Sequence, residues 1–345
     1  MDRSRPVGYD AGNRLTLMET DDGRRAAVVG RERVQPVFLT YFPDGRNPMT
    51  GYAEPFLQAH CPFCNAKDAA LAHRVADQFF SGDRMFFLLR CKACGGTFLD
   101  GKVFASVTDF LATAYPASYH GGDGIVARGP IPLLGRHAVD RWISHRRPLK
   151  VLDVGCGGGQ FLKYMATRGH AITGLEPDQK AADNVAHQLQ CQVLAGTVET
   201  LDPGQRFDLI TLWDVLEHFV NPTFSLQRLR GWLDNNGRIL FGVPNFDSWE
   251  AKLLGAGWFG LEVPRHTLQC TPPHLQRLMT RAGLELTALR SLRGSSYFAK
   301  SFMDQRLFEN RNRFRPATLK ALQRLIRLLA PGAYLIGMAH PAADV

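Results

Sequence analysis

The chain has 345 residues, 45% of them hydrophobic and 21% charged, with a net charge of +9 and a pI near 9.3. That length accommodates one α/β domain of roughly 200 residues plus a smaller one, and the composition is that of a globular chain able to bury a real core. No stretch reaches the roughly 18 uninterrupted apolar residues of a membrane span, and Met1–Arg5 is polar, unlike a secretory leader. The positive charge raises nucleic acid or an anionic surface as partners. Arg is scattered, however, with no block of five or six like charges, which favours a merely well-solvated basic surface. Seven cysteines, four of them in two CxxC pairs, argue against a disulfide framework and for reduced thiols, and so predict a cytoplasmic protein.

Residues 1–55 alternate polar and apolar side chains between turn signals at Thr20–Gly23 and Pro43–Gly45. They read as short strands, Val34–Tyr41 among them, and suggest no function. Residues 56–105 are dominated by Cys61-Pro-Phe-Cys64 and Cys91-Lys-Ala-Cys94. Two such knuckles, the second trailed by Gly95-Gly96, resemble a zinc ribbon. Four thiolates complete the tetrahedral set of a closed structural site, so Zn2+ there implies folding stabilisation and no catalysis; iron in the same cage and a redox pair are the alternatives. His60 is a neighbour rather than a ligand, and Cys156, Cys191 and Cys270 read as buried small residues. The Pro- and Gly-rich stretch within 106–147 reads as a connector or lid.

From residue 148 to 345 the pattern becomes apolar strands alternating with amphipathic helices, the signature of a parallel sheet with crossover helices. Strands are expected at Val151–Val154, Ala171–Leu175, Gln192–Leu194, Phe207–Trp213 and Arg238–Val243, the last fed by a turn at Asn235–Gly237. Helices are expected at Gln160–Thr167, closed by Gly169, at Asp178–Leu189 and at Pro222–Leu233. Thr271 is a helix N-cap candidate, with Pro272 at the first helical position and Gly283 past the end. Leu284–Leu292 and Ala333–Ala339 are late strands. Residues 246–270 read as an acceptor-binding insertion, and Leu319–Leu329 as a basic amphipathic helix that either rests on a membrane, packs over the acceptor pocket or forms a dimer surface.

The run Val-Leu-Asp-Val-Gly-Cys-Gly-Gly-Gly-Gln at 151–160 is a strand entering a glycine loop and then a helix. Glycines let the backbone turn tightly and approach a ligand beside a helix N-terminus. The dinucleotide fingerprint wants a third glycine where Gln160 stands. Asp153 lies at the end of the strand, where a buried carboxylate needs a cationic or hydrogen-bonding partner; the α-amino group of a methionyl ligand would be one. Glu176 ends the second strand, where a carboxylate can take both ribose hydroxyls.

This stretch resembles motif I of the class I S-adenosylmethionine-dependent methyltransferases. The resemblance continues through Phe-Asp-Leu-Ile-Thr-Leu-Trp-Asp-Val-Leu-Glu-His-Phe-Val-Asn-Pro at 207–222 and Arg-Ile-Leu-Phe-Gly-Val-Pro-Asn at 238–245. With Pro-Arg-His at 264–266 it looks like the ubiquinone-biosynthesis-like branch. The resemblance implies an α/β, Rossmann-like doubly wound sheet behind a small β-rich zinc-ribbon module. It assigns the methionine moiety of S-adenosyl-L-methionine to Asp153, Gly155, Gly157 and Gly159, the ribose to Glu176 and the adenine to Thr197–Glu199. Asp214 is placed beside the sulfonium, or else caps a helix.

Methyl transfer needs an acceptor aligned behind the methyl group, and an alcohol acceptor also wants a general base. His218 and His266 are the catalytic candidates, each with packing as its alternative. Arg265 either binds an anionic substrate or forms a salt bridge, and Trp249, Trp258 and Phe259 suit an apolar wall or the core. The expected function is methylation of a small-molecule acceptor, an oxygen nucleophile in saccharide, quinone or secondary-metabolite biosynthesis. Alternatives are a zinc-ribbon RNA methyltransferase, a sugar C-methyltransferase and a non-catalytic interaction platform. Oligomeric state is not specified by the sequence.

Overall fold

The computed structural model describes residues 16–19, 25–28, 60–77, 85–101, 104, 110, 113–115, 140, 142, 147–292, 297, 301 and 332–343. Residues 1–47 and 48–345 are separate units. In the first, β1 (Thr16–Glu19) and β2 (Arg25–Val28) pair as an antiparallel hairpin, Glu19 opposite Arg25. The strand expected at Val34–Tyr41, most of the 106–147 connector and the helix expected at Leu319–Leu329 lie outside the described residues.

The second unit is built on a seven-stranded sheet. Its parallel part comprises β6 (Lys150–Val154), β7 (Ala171–Glu176), β8 (Gln192–Ala195), β9 (Phe207–Trp213) and β10 (Leu233–Pro244). Two antiparallel strands, β12 (Leu284–Leu292) and β13 (Tyr334–Pro341), complete the order β12-β13-β10-β9-β6-β7-β8. Order reverses between β6 and β9, so the crevice at their carboxyl ends is the expected ligand position in an open α/β sheet. The central strands are buried on both faces, which is why they read as near-continuous apolar runs.

The crossover helices are set by their ends. The helix α1 (Gln160–Ala166) starts from Gly159 in the left-handed region. For α2 (Gln179–Leu189) the Asp178 carboxylate accepts from the Ala181 N–H at 2.7 Å, and for α3 (Pro222–Gly231) Asn221 accepts from Phe224 N–H at 3.2 Å. Each satisfies an otherwise orphaned helix N–H, an effect of about 1 kcal/mol. Next come α4 (Trp249–Leu254), capped by Ser248, and α5 (Pro272–Arg281). Thr271 occupies the N-cap position of α5 but its hydroxyl does not cap; it bonds His274 Nδ1 at 2.6 Å instead. The turn expected at Asn235–Gly237 is absorbed into β10 as a register shift between Leu233 and Arg238.

The cysteine region forms a four-stranded antiparallel sheet in the order β11-β5-β4-β3, with β3 (Ala69–Ala76), β4 (Met85–Cys91) and β5 (Thr97–Leu99). Its fourth strand, β11 (Leu268–Gln269), comes in sequence from between β10 and β12 of the seven-stranded sheet, Leu268 opposite Phe98 and Gln269 opposite Thr97. Cys61, Phe63, Cys91 and Phe98 share one apolar core with Phe219, Leu268, Leu275 and Leu278. No helix among the described residues is long and apolar enough to cross a membrane.

Candidate cofactor and acceptor site

Three glycines of the loop after β6 adopt positive φ: Gly155 at 64°, Gly157 at 52° and Gly159 at 70°. An L side chain at any of them is strained, and a Cβ on Gly159 would also meet Val185 Cγ1 at 2.7 Å. Backbone N–H groups of Gly155 and Cys156 donate to the Leu175 carbonyl at 2.7 and 3.2 Å, pinning the loop to β7. A Cβ on Gly158 would meet nothing within 4 Å, so the loop opens there into space.

Two carboxylates border it, both buried. Asp153 accepts from Thr211 Oγ1 at 2.7 Å, and Glu176 accepts from the Gly157 N–H at 2.8 Å and the Asp178 N–H at 3.2 Å. Ionised carboxylates only accept hydrogen bonds, so each suits an ammonium group or paired hydroxyls. This donor set, beside a loop too strained for side chains, fits S-adenosylmethionine. In the expected adenine segment Val198 is core, while Glu199 is engaged by the Ser225 hydroxyl.

Asp214 sits at φ 53°, an uncommon conformation for a residue with a Cβ; its N–H donates to Gly242 O at 3.0 Å. The buried Tyr334 phenol stays protonated well above its ordinary range, first through burial and then through neighbouring acids led by Asp214. Tyr297 behaves in the same way. Both tyrosines escaped the sequence reading, since their positions carry no motif.

The following turn, Leu216–His218, brings up the first candidate histidine. His218 is half-buried, with Nδ1 at 3.0 Å from the Tyr115 hydroxyl. His266 stands edge-on to it, ring centroids 4.7 Å apart at 80°. The structure thus brings together two histidines 48 residues apart in sequence. Because a carbonyl only accepts, the contact of His266 Nδ1 with Gly260 O at 2.9 Å makes Nδ1 the protonated nitrogen. Nε2 then faces Glu262 at 3.4 Å and Glu217 at 3.9 Å. Burial depresses the imidazole's proton affinity, outweighing the opposing influence of Glu262. Arg265 is fully buried and engaged by Asp77 and Glu262, so of its two expected roles it takes the salt bridge.

Of the expected aromatic wall, Trp258 is core, packed against Phe246 and Tyr297, and Phe259 lies 6.3 Å from Tyr297. Trp249 is exposed.

Sulfurs of Cys61, Cys64, Cys91 and Cys94 lie within 4.8 Å of one another, with Cys61–Cys94 and Cys64–Cys91 each at 3.5 Å. Each knuckle closes through a left-handed residue, Asn65 and Gly95, whose N–H groups return to Cys61 O at 2.7 Å and Cys91 O at 2.9 Å. His60 is not part of this set, whereas His274 Nε2 lies 3.0 Å from the Cys94 carbonyl. Cys156 and Cys270 are buried as expected; Cys191 is only half-buried.

Residues 132–289 match a methyltransferase domain family. The ubiquinone biosynthesis O-methyltransferase of Azoarcus sp. (strain BH72) is 30% identical over 157 residues, 41% of this chain and 67% of its own. That of Thiobacillus denitrificans is 30% identical over 172 residues, 44% of this chain and 72% of its own. The Idiomarina loihiensis protein of the same name is 32% identical over 158 residues, 41% and 64% respectively. The chain thus spans about two thirds of the length of these relatives. With the sheet order, the glycine loop and its two carboxylates in place, the chain belongs to the S-adenosylmethionine-dependent methyltransferases.

Proposed function

We propose that the chain methylates an oxygen nucleophile on a small acceptor of saccharide, quinone or secondary-metabolite type, with the acceptor bound between Asp214 and the His218–His266 pair. The observation that carries this reading is that pair, edge-on at 4.7 Å and backed by Glu217 and Glu262, with His218 on the turn that follows Asp214 and His266 on the loop before β11. When bound, S-adenosylmethionine supplies a methyl group already activated for in-line displacement. The chain's work is to hold the acceptor hydroxyl in line and remove its proton. With Nδ1–H donated to the Tyr115 oxygen, His218 Nε2 accepts that proton, and His266 with its two carboxylates steadies the imidazolium formed. Asp153, Gly155, Gly157, Gly159 and Glu176 hold the methionine and ribose ends, and Asp214 lies at the sulfonium end. The names of the relatives support oxygen as the methylated atom.

The four cysteines are assigned to structural Zn2+. The compactness of the sulfurs and the two closed knuckles support this, since four thiolates leave no open position. A thiolate-held metal suits a reducing compartment, and the cytoplasm is the assigned location. RNA as acceptor would call for stacking aromatics on the cysteine hairpin. Phe86 instead lies in the core, stacked on Phe104 at 5.8 Å. The segment Leu319–Leu329 is assigned to cover the acceptor pocket or a second copy; a truncated protein losing sedimentation with liposomes would favour a membrane role.

The test is transfer of labelled methyl from S-adenosylmethionine into host extract. Label in the small-molecule fraction, lost with His218→Gln, is the expected result. Label confined to RNA, or none at all despite intact binding of S-adenosylhomocysteine, overturns the reading.

A further inference from the structure

A buried guanidinium is costly unless paired, and Arg265 draws its partners from three places. Asp77, at the exit of β3, grips it twice, with Nη2 to Oδ1 at 2.9 Å and Nη1 to Oδ2 at 3.3 Å. Nη1 also donates to the Ala114 carbonyl at 3.3 Å. Nε donates to Glu262 Oε1 at 3.2 Å. The second oxygen of that glutamate lies 3.4 Å from His266 Nε2. One carboxylate is therefore shared between a permanent cation and an imidazole.

The charge balance of this relay turns on Asp77. With it, Arg265, Asp77 and Glu262 together carry one net negative charge beside His266. Without it, Arg265 and Glu262 cancel, and the carboxylate is drawn towards the guanidinium. We propose that Asp77 is a positioning residue for His266: by holding Arg265 from the cysteine hairpin, it leaves the Glu262 carboxylate to orient the imidazole that stands beside His218. The cysteine hairpin is then a working part of the acceptor side as well as a stabilising one. The meaning of this for catalysis rests on the reading of His266 above, but the relay itself can be tested without any acceptor.

Other groups around the imidazole are constant in the comparison. Glu217 and His218 face it from the turn after β9, Tyr115 lies behind His218, and Tyr297 and Cys270 feel Glu262 and Glu217 respectively. Burial lowers His266 proton affinity, Glu262 raises it and Arg265 lowers it, which is the opposition that Asp77 adjusts.

The experiment follows the His266 resonance in the full chain carrying isotope-labelled histidine, assigned with His266→Gln. Asp77→Asn is expected to weaken His266 proton affinity about tenfold, the scale of one charge roughly 12 Å away, beyond Arg265 and Glu262, at an effective dielectric near 20. Metal content and S-adenosylhomocysteine affinity stay unchanged, and Asp77→Glu restores the wild-type titration. Adding Arg265→Met to Asp77→Asn removes the cation as well and returns proton affinity to the wild-type level or above it. An unchanged titration in Asp77→Asn overturns the proposal, as does a double variant that stays as weak as the single one. If Asp77→Asn alone fails to fold, the double variant decides, because it leaves no unpaired guanidinium. There, weaker proton binding than wild type overturns the relay, and equal or stronger binding supports it.

Discussion

The glycine-loop side and the proposed acceptor side of this crevice are built by different means. Between Asp153 and Glu176 almost everything depends on backbone: three left-handed glycines, N–H groups turned onto Leu175 and Glu176, and a loop folded within a few residues of the strand it leaves. Around His266 almost everything is side chain, gathered from β3, the region of Tyr115, the turn after β9 and the loop before β11. A berth made of local backbone survives changes elsewhere in the chain, whereas a chamber assembled from distant side chains depends on each element that delivers one.

The largest test of that difference is metal removal. Structural Zn2+ contributes roughly 10–16 kcal/mol of apparent binding energy in small zinc modules. With Zn2+ in the cysteine set as proposed, stripping it, or Cys91→Ser, is expected to raise hydrogen exchange sharply across residues 60–77, 85–101 and 260–270. Residues 151–176 should keep their protection. Uniform loosening would erase the distinction.

His218→Gln comes next. With His218 as the proposed general base, its loss costs about 10²–10⁴ in kcat, and S-adenosylhomocysteine affinity measured by calorimetry should not move. The converse change, Asp153→Asn, removes a charged hydrogen-bond acceptor worth about 1.5–3 kcal/mol, so the cofactor should bind roughly 10–100-fold more weakly while the folding of the acceptor side is retained.

The smallest effect is on stability against pH. His266, His170 and His340 all have proton affinities depressed by burial from the ordinary value of 6.5. Below that pH the denatured chain takes up protons that the native imidazoles resist, so stability falls as the solution is acidified. Denaturant titrations at pH 7.5 and 5.5 should show the lower midpoint at 5.5, and His266→Gln should narrow the gap.

The same contrast governs what the sequence could reveal. The parallel strands were legible because burial on both faces makes them continuous apolar runs, and Asp153 and Glu176 because they end such runs. The cysteine cluster was legible as two short spacings. His218 and His266 could be named as candidates but not joined, since nothing in the sequence puts two rings 48 residues apart edge to edge. Asp77 lies 188 residues from Arg265 and sits in an unremarkable strand exit. A two-residue strand such as β11 has no periodicity to detect. Trp249 looked like wall material because an aromatic side chain carries no sign of which way a short helix will face.

The pairing of β11 with β5 has a consequence for how such proteins are recombined. Leu268 and Gln269 complete a sheet whose other three strands precede the methyltransferase domain, and the bond from Leu99 N–H to Thr267 O at 2.9 Å continues that seam. A chimera that exchanges the Pro-Arg-His segment between relatives inherits an edge strand with no sheet to join unless the cysteine hairpin travels with it. The two stretches are therefore one heritable unit, although more than 160 residues of chain separate their ends.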